Sequence, residues 1–318
     1  MTKICVVGCG YWGKNHISTL NEINCLGGIV DSNPDLLSNF SKKYPNISTY
    51  QNLAEAISNE KFSGFVVATP SSTHFKIAKK IIDKGKHVLV EKPLALNVND
   101  AKTLILLAKK RRVNLMVGHV LLFHPAIRKM KKLIENNKIG KLQYIYSNRL
   151  NLGQVRTEES AFWSLAPHDI SLFQYFTESL PTKINAFGGD FLQKDIHDTT
   201  ITMLEYPNNI KGHIFVSWLH PFKEHRLVVI GSEGMLSFED SLTNSPLKFY
   251  DKKFQIDRNV PEKIDGPVQD ISYDNKLPLT LELEYFINHL NGNSLKINNG
   301  KSGLEVIEIL ESATNLLK

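Results

Sequence analysis

Over residues 1–120, short apolar runs alternate with segments of helical period. The runs are Ile4 to Gly8, Leu26 to Asp31, Gly64 to Thr69, His87 to Lys92 and Asn114 to His119. Each is short and mostly apolar throughout, which is the composition of a strand buried on both faces. Between them the apolar spacing predicts helices over Trp12 to Asn21, Pro34 to Lys43, Leu53 to Asn59, His74 to Lys84 and Asn99 to Arg111. Strand and helix in strict turn read as βαβ units, and so as a parallel sheet with helices on both sides.

From Pro125 the pattern changes. A helix over Pro125 to Asn136 leads through Ile139-Gly140 to a strand over Leu142 to Leu152, and a helical stretch follows from Ser164 to Phe176. Alternating strands come next, over Lys183 to Gly188, Thr199 to Tyr206, Ile210 to Leu219, Arg226 to Ile230 and Met235 to Phe238. They are separated by turn signals rather than helices, which predicts an antiparallel sheet with one covered face. The polar stretch from Ser241 to Asp274 reads as a weakly patterned insertion or long loop, and helices over Leu279 to Asn291 and Lys301 to Leu317 close the chain.

With 318 residues, 42% hydrophobic and 22% charged, the chain has the composition of a globular protein of two domains. No stretch approaches the ~20 apolar residues of a membrane span, and the N-terminus runs straight into a strand, so a cytoplasmic location and no membrane partner are expected. Cys5, Cys9 and Cys25 form no C-x-x-C pair and read as reduced thiols. The net charge of +6 comes partly from basic runs at Lys109 to Arg112 and Lys129 to Lys132. Both lie in the C-terminal halves of predicted helices, where cations suit the dipole, so no nucleic-acid partner is expected. A basic field equally suits an anionic small molecule.

Gly8-Cys9-Gly10-Tyr11-Trp12-Gly13 is a G-x-G-x-x-G that follows an apolar strand and opens a helix. Gly8 allows the tight turn, Gly10 lets a pyrophosphate approach the backbone, and Gly13 lets the helix pack closely on the strand. Asp31 stands eighteen residues past Gly13, placed for ribose hydroxyls. Its charge repels a 2′-phosphate, and Ser32 follows where an NADP site wants Arg, so NAD is the expected cofactor. The fold class is then α/β: an N-terminal Rossmann doubly wound parallel sheet over 1–120, and a C-terminal α+β domain with a largely antiparallel open sheet over 121–318. The closing helix is expected to pack back on the first domain.

Two further groups, Ala68-Thr69-Pro70 with His74 and Glu91-Lys92-Pro93, fall at the carboxyl ends of predicted parallel strands, where such sheets bind ligands. Lys92 there can hydrogen-bond or protonate a substrate oxygen. Pro93 makes a cis peptide possible and argues against a merely solvated Glu91-Lys92 pair.

Through Gly8 to Gly13, Ala68-Thr69-Pro70, Val90 to Ala95, His124-Pro125-Ala126 and Ala166 to Asp169, in that order, the chain resembles the Gfo/Idh/MocA family of sugar and cyclitol dehydrogenases. Gly118 to Arg128, Ile145 to Gly153 and Trp163 to Ile170 resemble the nucleotide-sugar 3-dehydrogenases acting on UDP-N-acetylglucosamine or its uronic acid. The resemblance implies NAD-dependent oxidation of a secondary hydroxyl, C3, of a nucleotide-linked N-acetylhexosamine, with subunit pairing as a homodimer or homotetramer. It leaves open a keto-sugar reductase, an inositol or free-sugar dehydrogenase, or a catalytically weak NAD-binding sensor. In that family a lysine and an Asp-x-x-x-His pair form the catalytic set, and the matching positions are Lys92, Ser164 and His168. The aspartate is replaced by serine.

The implied cofactor-binding residues are Gly8, Gly10, Tyr11, Trp12, Gly13, Asp31, Ser32, Thr69, Pro70, His74, Glu91, Lys92 and His119. For substrate the candidates are Lys92, Phe123, Arg149, Asn151, Arg156, Trp163 and His168. Arginines suit a diphosphate or carboxylate, and Trp163 and Phe123 either stack on a ring of the substrate or pack within the protein. His197, Asp198, His213, His220 and His225 have no metal-ligand spacing, and no metal is expected.

Overall fold

A computed structural model describes residues 2–153, 155–242, 244 and 246–317. The chain divides into two compact units, Met1–Phe123 with Lys276–Glu308, and His124–Asn275 with Ile309–Lys318.

The first unit is built on a six-stranded parallel sheet in the order β3-β2-β1-β4-β5-β6. The strands are β1 (Lys3–Val7), β2 (Leu26–Val30), β3 (Ser48–Tyr50), β4 (Phe62–Val67), β5 (His87–Glu91) and β6 (Leu115–Gly118). The helices α1 (Gly13–Glu22), α2 (Pro34–Lys43), α3 (Leu53–Ser58), α4 (Ser71–Asp83) and α5 (Val98–Arg111) connect them. This is the expected doubly wound sheet. Asn33, Asn52 and Asn97 cap α2, α3 and α5 through their side-chain oxygens, which is why those helices start where they do. The edge strand β3 was not predicted because its three residues, exposed Ser48 and Thr49 and half-buried Tyr50, carry no apolar alternation. Helix α4 begins three residues before the predicted start, in polar Ser71-Ser72-Thr73, and so takes His74 into its first turn. The later segment contributes α8 (Pro278–Asn288) and the first half of α9 (Gly300–Leu316).

The second unit holds α6 (Pro125–Glu135), α7 (Ala161–Thr177) and an eight-stranded sheet. Its strands are β7 (Leu142–Leu152), β8 (Lys183–Gly189), β9 (Thr199–Glu205), β10 (Lys211–Ser217), β11 (Leu219–Gly231), β12 (Met235–Glu239), β13 (Leu247–Asp257) and β14 (Val260–Asp270). Their order is β14-β13-β12-β11-β7-β10-β9-β8, antiparallel except for β7 beside β10. Helix α7 covers one face, close enough that a Cβ on Gly212 would lie 2.8 Å from the Phe173 ring. On the other face Phe187, Ile201 and Met203 stand exposed.

The stretch from Ser241 to Asp274 is not a long loop, which corrects the sequence expectation. Most of it is the β13–β14 hairpin, turned by Arg258-Asn259, both at positive φ (47° and 68°), as a two-residue hairpin turn requires. Its alternation is hidden because charged residues pair across the strands. Lys252 and Lys263 both bond Asp265 at 2.7 Å, and these bonds hold that carboxyl down at about 2. Helix α7 also begins earlier than predicted, at Ala161 after the Ser160 cap, so Pro167 and His168 lie inside it rather than at its start.

Candidate active site

In the first unit the glycines do what their backbone demands. Gly8 takes φ +95°, and a Cβ there would lie 2.7 Å from the Ala68 carbonyl oxygen; a Cβ on Gly13 would collide with the Gly8 carbonyl. A Cβ on Gly10 would have nothing within 4 Å, so that face of the turn is open. Helix α1 has no side-chain cap and no acidic residue in its first turn, so no side chain competes with an anion for its N-terminus. An exposed Tyr11 and a partly exposed Trp12 border this turn. These residues fit a dinucleotide pyrophosphate.

Asp31 follows β2 directly. Its Oδ2 accepts from Cys9 N–H at 2.7 Å and its Oδ1 from Asn33 N–H at 2.9 Å, so the carboxylate braces the glycine turn while keeping lone pairs free for ribose hydroxyls. Ser32 beside it is exposed. Burial, then the Asp31 charge, pushes the Cys9 thiol up to about 12, which makes it an inert packing residue. With Asp31→Asn and Ser32→Arg combined, cofactor preference should move toward NADP by about 10- to 100-fold, the size of one hydrogen bond to a charged phosphate. The ratio of kcat/KM for the two cofactors checks this, and a parent that already prefers NADP contradicts it.

Glu91 joins the two motifs. Its Oε1 accepts from Trp12 Nε1 at 2.5 Å and lies 2.7 Å from His16 Nε2, both on one face of α1. Burial works to raise the Glu91 carboxyl, but the His16 hydrogen bond and charge, Trp12 and Lys92 outweigh it and hold it below the usual carboxylate range. Lys92, half-buried, continues from β5 through a cis peptide to Pro93. His74 is buried, with Nδ1 2.8 Å from the Pro93 carbonyl and Nε2 2.9 Å from the Thr69 carbonyl. It clips the Thr69-Pro70 turn to the Lys92-Pro93 turn. Thr69 Oγ1 also meets Thr73 Oγ1 at 2.7 Å, while Pro70 is exposed at the start of α4. His119 is buried beside Glu91 and Lys92, and burial pushes its imidazole down to about 4, so it is neutral. Phe123 has no exposed surface and its ring sits 5.3 Å from Tyr285, so it packs within this unit, the second of its two readings.

In the second unit, Ser164 and His168 stand one turn apart on α7, the spacing of the family pair. Ser164 is buried and His168 half-buried, and Ser171 Oγ donates to the His168 carbonyl at 2.7 Å. Asp169 does not serve His168. Its Oδ2 and Oδ1 accept from Arg149 Nε (2.9 Å) and Nη2 (3.0 Å), a buried two-bond pair between α7 and β7. Two of the arginine's donor nitrogens are therefore committed to Asp169. Trp163 Nε1 donates to Thr314 Oγ1 at 2.9 Å, tying α7 to α9. Arg156 is exposed and 3.2 Å from Glu159, and Asn151 is half-buried at the end of β7. Asp198 holds Trp218 Nε1 at 2.7 Å, a structural clip. Among the described residues no group of His, Cys, Asp or Glu is arranged to hold a metal, and no helix is long and apolar enough to cross a membrane.

Sequence reasoning missed His16, Glu282 and Asn298. His16 is one turn after Trp12 on the apolar face of α1; that placement alone does not say which acid it meets.

Residues 2–119 match the family model described as oxidoreductase family, NAD-binding Rossmann fold, and residues 127–237 match the GFO/IDH/MocA C-terminal domain. A UDP-N-acetylglucosamine 3-dehydrogenase of Acidithiobacillus ferrooxidans is 24% identical over 95% of this chain and 93% of its own length. A solved structure of UDP-N-acetylglucosamine 3-dehydrogenase GnnA from that organism superposes with a TM-score of 0.86 at 21% identity, over 99% of this chain and 97% of the other. The WlbA dehydrogenase of Bordetella pertussis, solved with NADH and UDP-GlcNAcA, gives 0.80 at 20% identity over 99% and 96%. With both of its units matched, and with an NAD-binding Rossmann unit at its N-terminus, this chain belongs to the Gfo/Idh/MocA oxidoreductase family.

Proposed function

We propose that the protein is an NAD-dependent dehydrogenase that oxidises the C3 hydroxyl of a nucleotide-linked N-acetylhexosamine, such as UDP-N-acetylglucosamine, to the 3-keto sugar. The observation that carries this reading is the similarity to a UDP-N-acetylglucosamine 3-dehydrogenase along 95% of the chain. The Lys92 end of β5, held by Glu91, supports it. Bound NAD supplies the two-electron acceptor for the C3 hydrogen. The chain's own part is positioning and proton transfer, for which Lys92 is the group that takes the hydroxyl proton and His168 is the second acid–base residue of the family pattern. Gly8, Gly10, Gly13 and Asp31 hold the dinucleotide. Arg156 and Asn151, which are not locked into a buried pair, are the better candidates for the diphosphate or a carboxylate than Arg149.

NADH production from a panel of UDP-, dTDP- and GDP-sugars, run beside inositol and free sugars, tests the reading. Turnover restricted to UDP-N-acetylhexosamines supports it, and turnover of inositol or free sugars alone overturns it. The exposed sheet face with Phe187, Ile201 and Met203 pairs with a second copy, which the solution mass measures directly.

Ser164 gives a further expected result. A carboxylate one turn from His168 favours the imidazolium, so Ser164→Asp should move the acid limb of the pH–rate profile to higher pH while activity rises or holds. His168→Ala should depress the rate in both backgrounds. A harmful Ser164→Asp with a neutral His168→Ala would leave Lys92 alone with the proton.

A further inference from the structure

Asn298 brackets Gly118 from both sides. Its main-chain oxygen accepts from Val117 N–H at 2.7 Å, and its side-chain amide donates to the His119 carbonyl at 3.2 Å. Gly118, between them, is the surface on which the Glu91 carboxylate rests, since a Cβ there would lie 3.0 Å from Glu91 Cδ and Oε2. The same Asn298 amide lies 3.4 Å from Oε1 of Glu282 on α8. Both residues are buried, Glu282 completely. Contacts thus run without a break from α8 through Asn298 and Gly118 to Glu91, the residue before Lys92.

Glu282 is a second carboxyl near Glu91, and of its two oxygens only Oε1 meets a donor, the Asn298 amide. Trp12 and His16 serve Glu91, whereas Oε2 of Glu282 and Oδ1 of Asn298 are both acceptors without a protein partner. One proton on Oε2 gives this acid–amide pair the donor it lacks. Burial first, and then the charge of Glu91, pushes the Glu282 carboxyl well above the usual range, with Asn298 opposing. Glu91 at the end of β5 is the charged group that acts on it, with His16 and Lys92 around Glu91, His119 after β6 reached through Asn298, and Tyr285 and His289 along its own helix; Lys14 and Glu22 of α1 are exposed.

We propose that Glu282 and Asn298 are positioning residues for the Glu91–Lys92 end of β5, with Glu282 protonated at neutral pH so that Glu91 keeps the only carboxylate charge of the cluster. The importance of that end for turnover rests on the function proposed above, but the test needs no substrate. Trp12 reports on Glu91 through its indole N–H, whose resonance is assigned with Trp12→Phe in protein carrying ¹⁵N-tryptophan. Glu282→Gln, neutral and of the same shape, should leave that resonance in place. Glu282→Leu, without hydrogen bonds, should shift it, and Asn298→Ser makes the same comparison if the leucine variant does not fold. An unshifted resonance in the folded variant overturns the positioning role.

Thermal midpoints at pH 5 and pH 8 test the proton. Glu282 in the unfolded chain ionises above about 4.3, whereas in the folded protein it keeps its proton to higher pH. The parent therefore loses stability as pH rises between those two values, and Glu282→Gln does not. The midpoint of Glu282→Gln should gain several degrees on the parent between pH 5 and pH 8. A gap that stays constant shows an ionised Glu282 and overturns the proposal.

Discussion

Replacing Lys92 with alanine should lower kcat/KM by about 100-fold or more, the size of a lost general acid–base contribution, while NAD affinity stays within a few-fold of the parent. The split follows from where the groups sit. The proposed pyrophosphate and ribose elements are the turn from Gly8 to Gly13 and Asp31, which would offer backbone N–H groups and a carboxylate. Lys92 instead follows Glu91, whose carboxylate is held by the Trp12 and His16 side chains, so the lysine end of β5 is placed without using the backbone N–H groups of the glycine turn. NAD titration by tryptophan fluorescence and steady-state rates on the best sugar give the two numbers. Full turnover in a folded Lys92→Ala protein would move proton transfer to another group.

The second large effect is on stability. Asp169→Ala should cost about 3–5 kcal/mol, because it leaves the Arg149 guanidinium buried without its counter-charge. Arg149 is 9% exposed and Asp169 1%, so solvent cannot take over the lost partner. The cost arises from breaking the pair rather than from a large net value of having it. Arg149→Met together with Asp169→Leu should therefore be far less damaging than the sum of the single changes. Chemical denaturation of the four proteins closes the double-mutant cycle. Additive single effects would mean that the two side chains do not depend on each other.

Much of the fold is legible because its signals are local. The five apolar runs of the first unit, the glycine turn and the asparagine caps each lie within a few residues of the element they specify. The β13–β14 hairpin escaped notice for the opposite reason. Its sides are matched by the Lys252–Asp265 pair across two strands, a pairing that no window along one strand displays.

The candidate site divides in the same way. Which residue types are available, namely the glycines, Asp31, Lys92, Ser164 and His168, is written in the chain, and so is the replacement of the family aspartate by serine. Which partners they meet is decided in three dimensions. Arg149 looks like an anion receptor until β7 and α7 bring Asp169 to its guanidinium, twenty residues further on. Glu282 looks like a surface acid, although it recurs at a core spacing between Leu279 and Phe286 on α8; only the return of residues 276–308 to the first unit buries it beside Asn298. Backbone periodicity follows from local sterics and solvent exposure, which neighbouring residues specify. The charge state and partner of a polar side chain depend on burial and on groups far away in sequence, so these were settled only when the chain closed on itself.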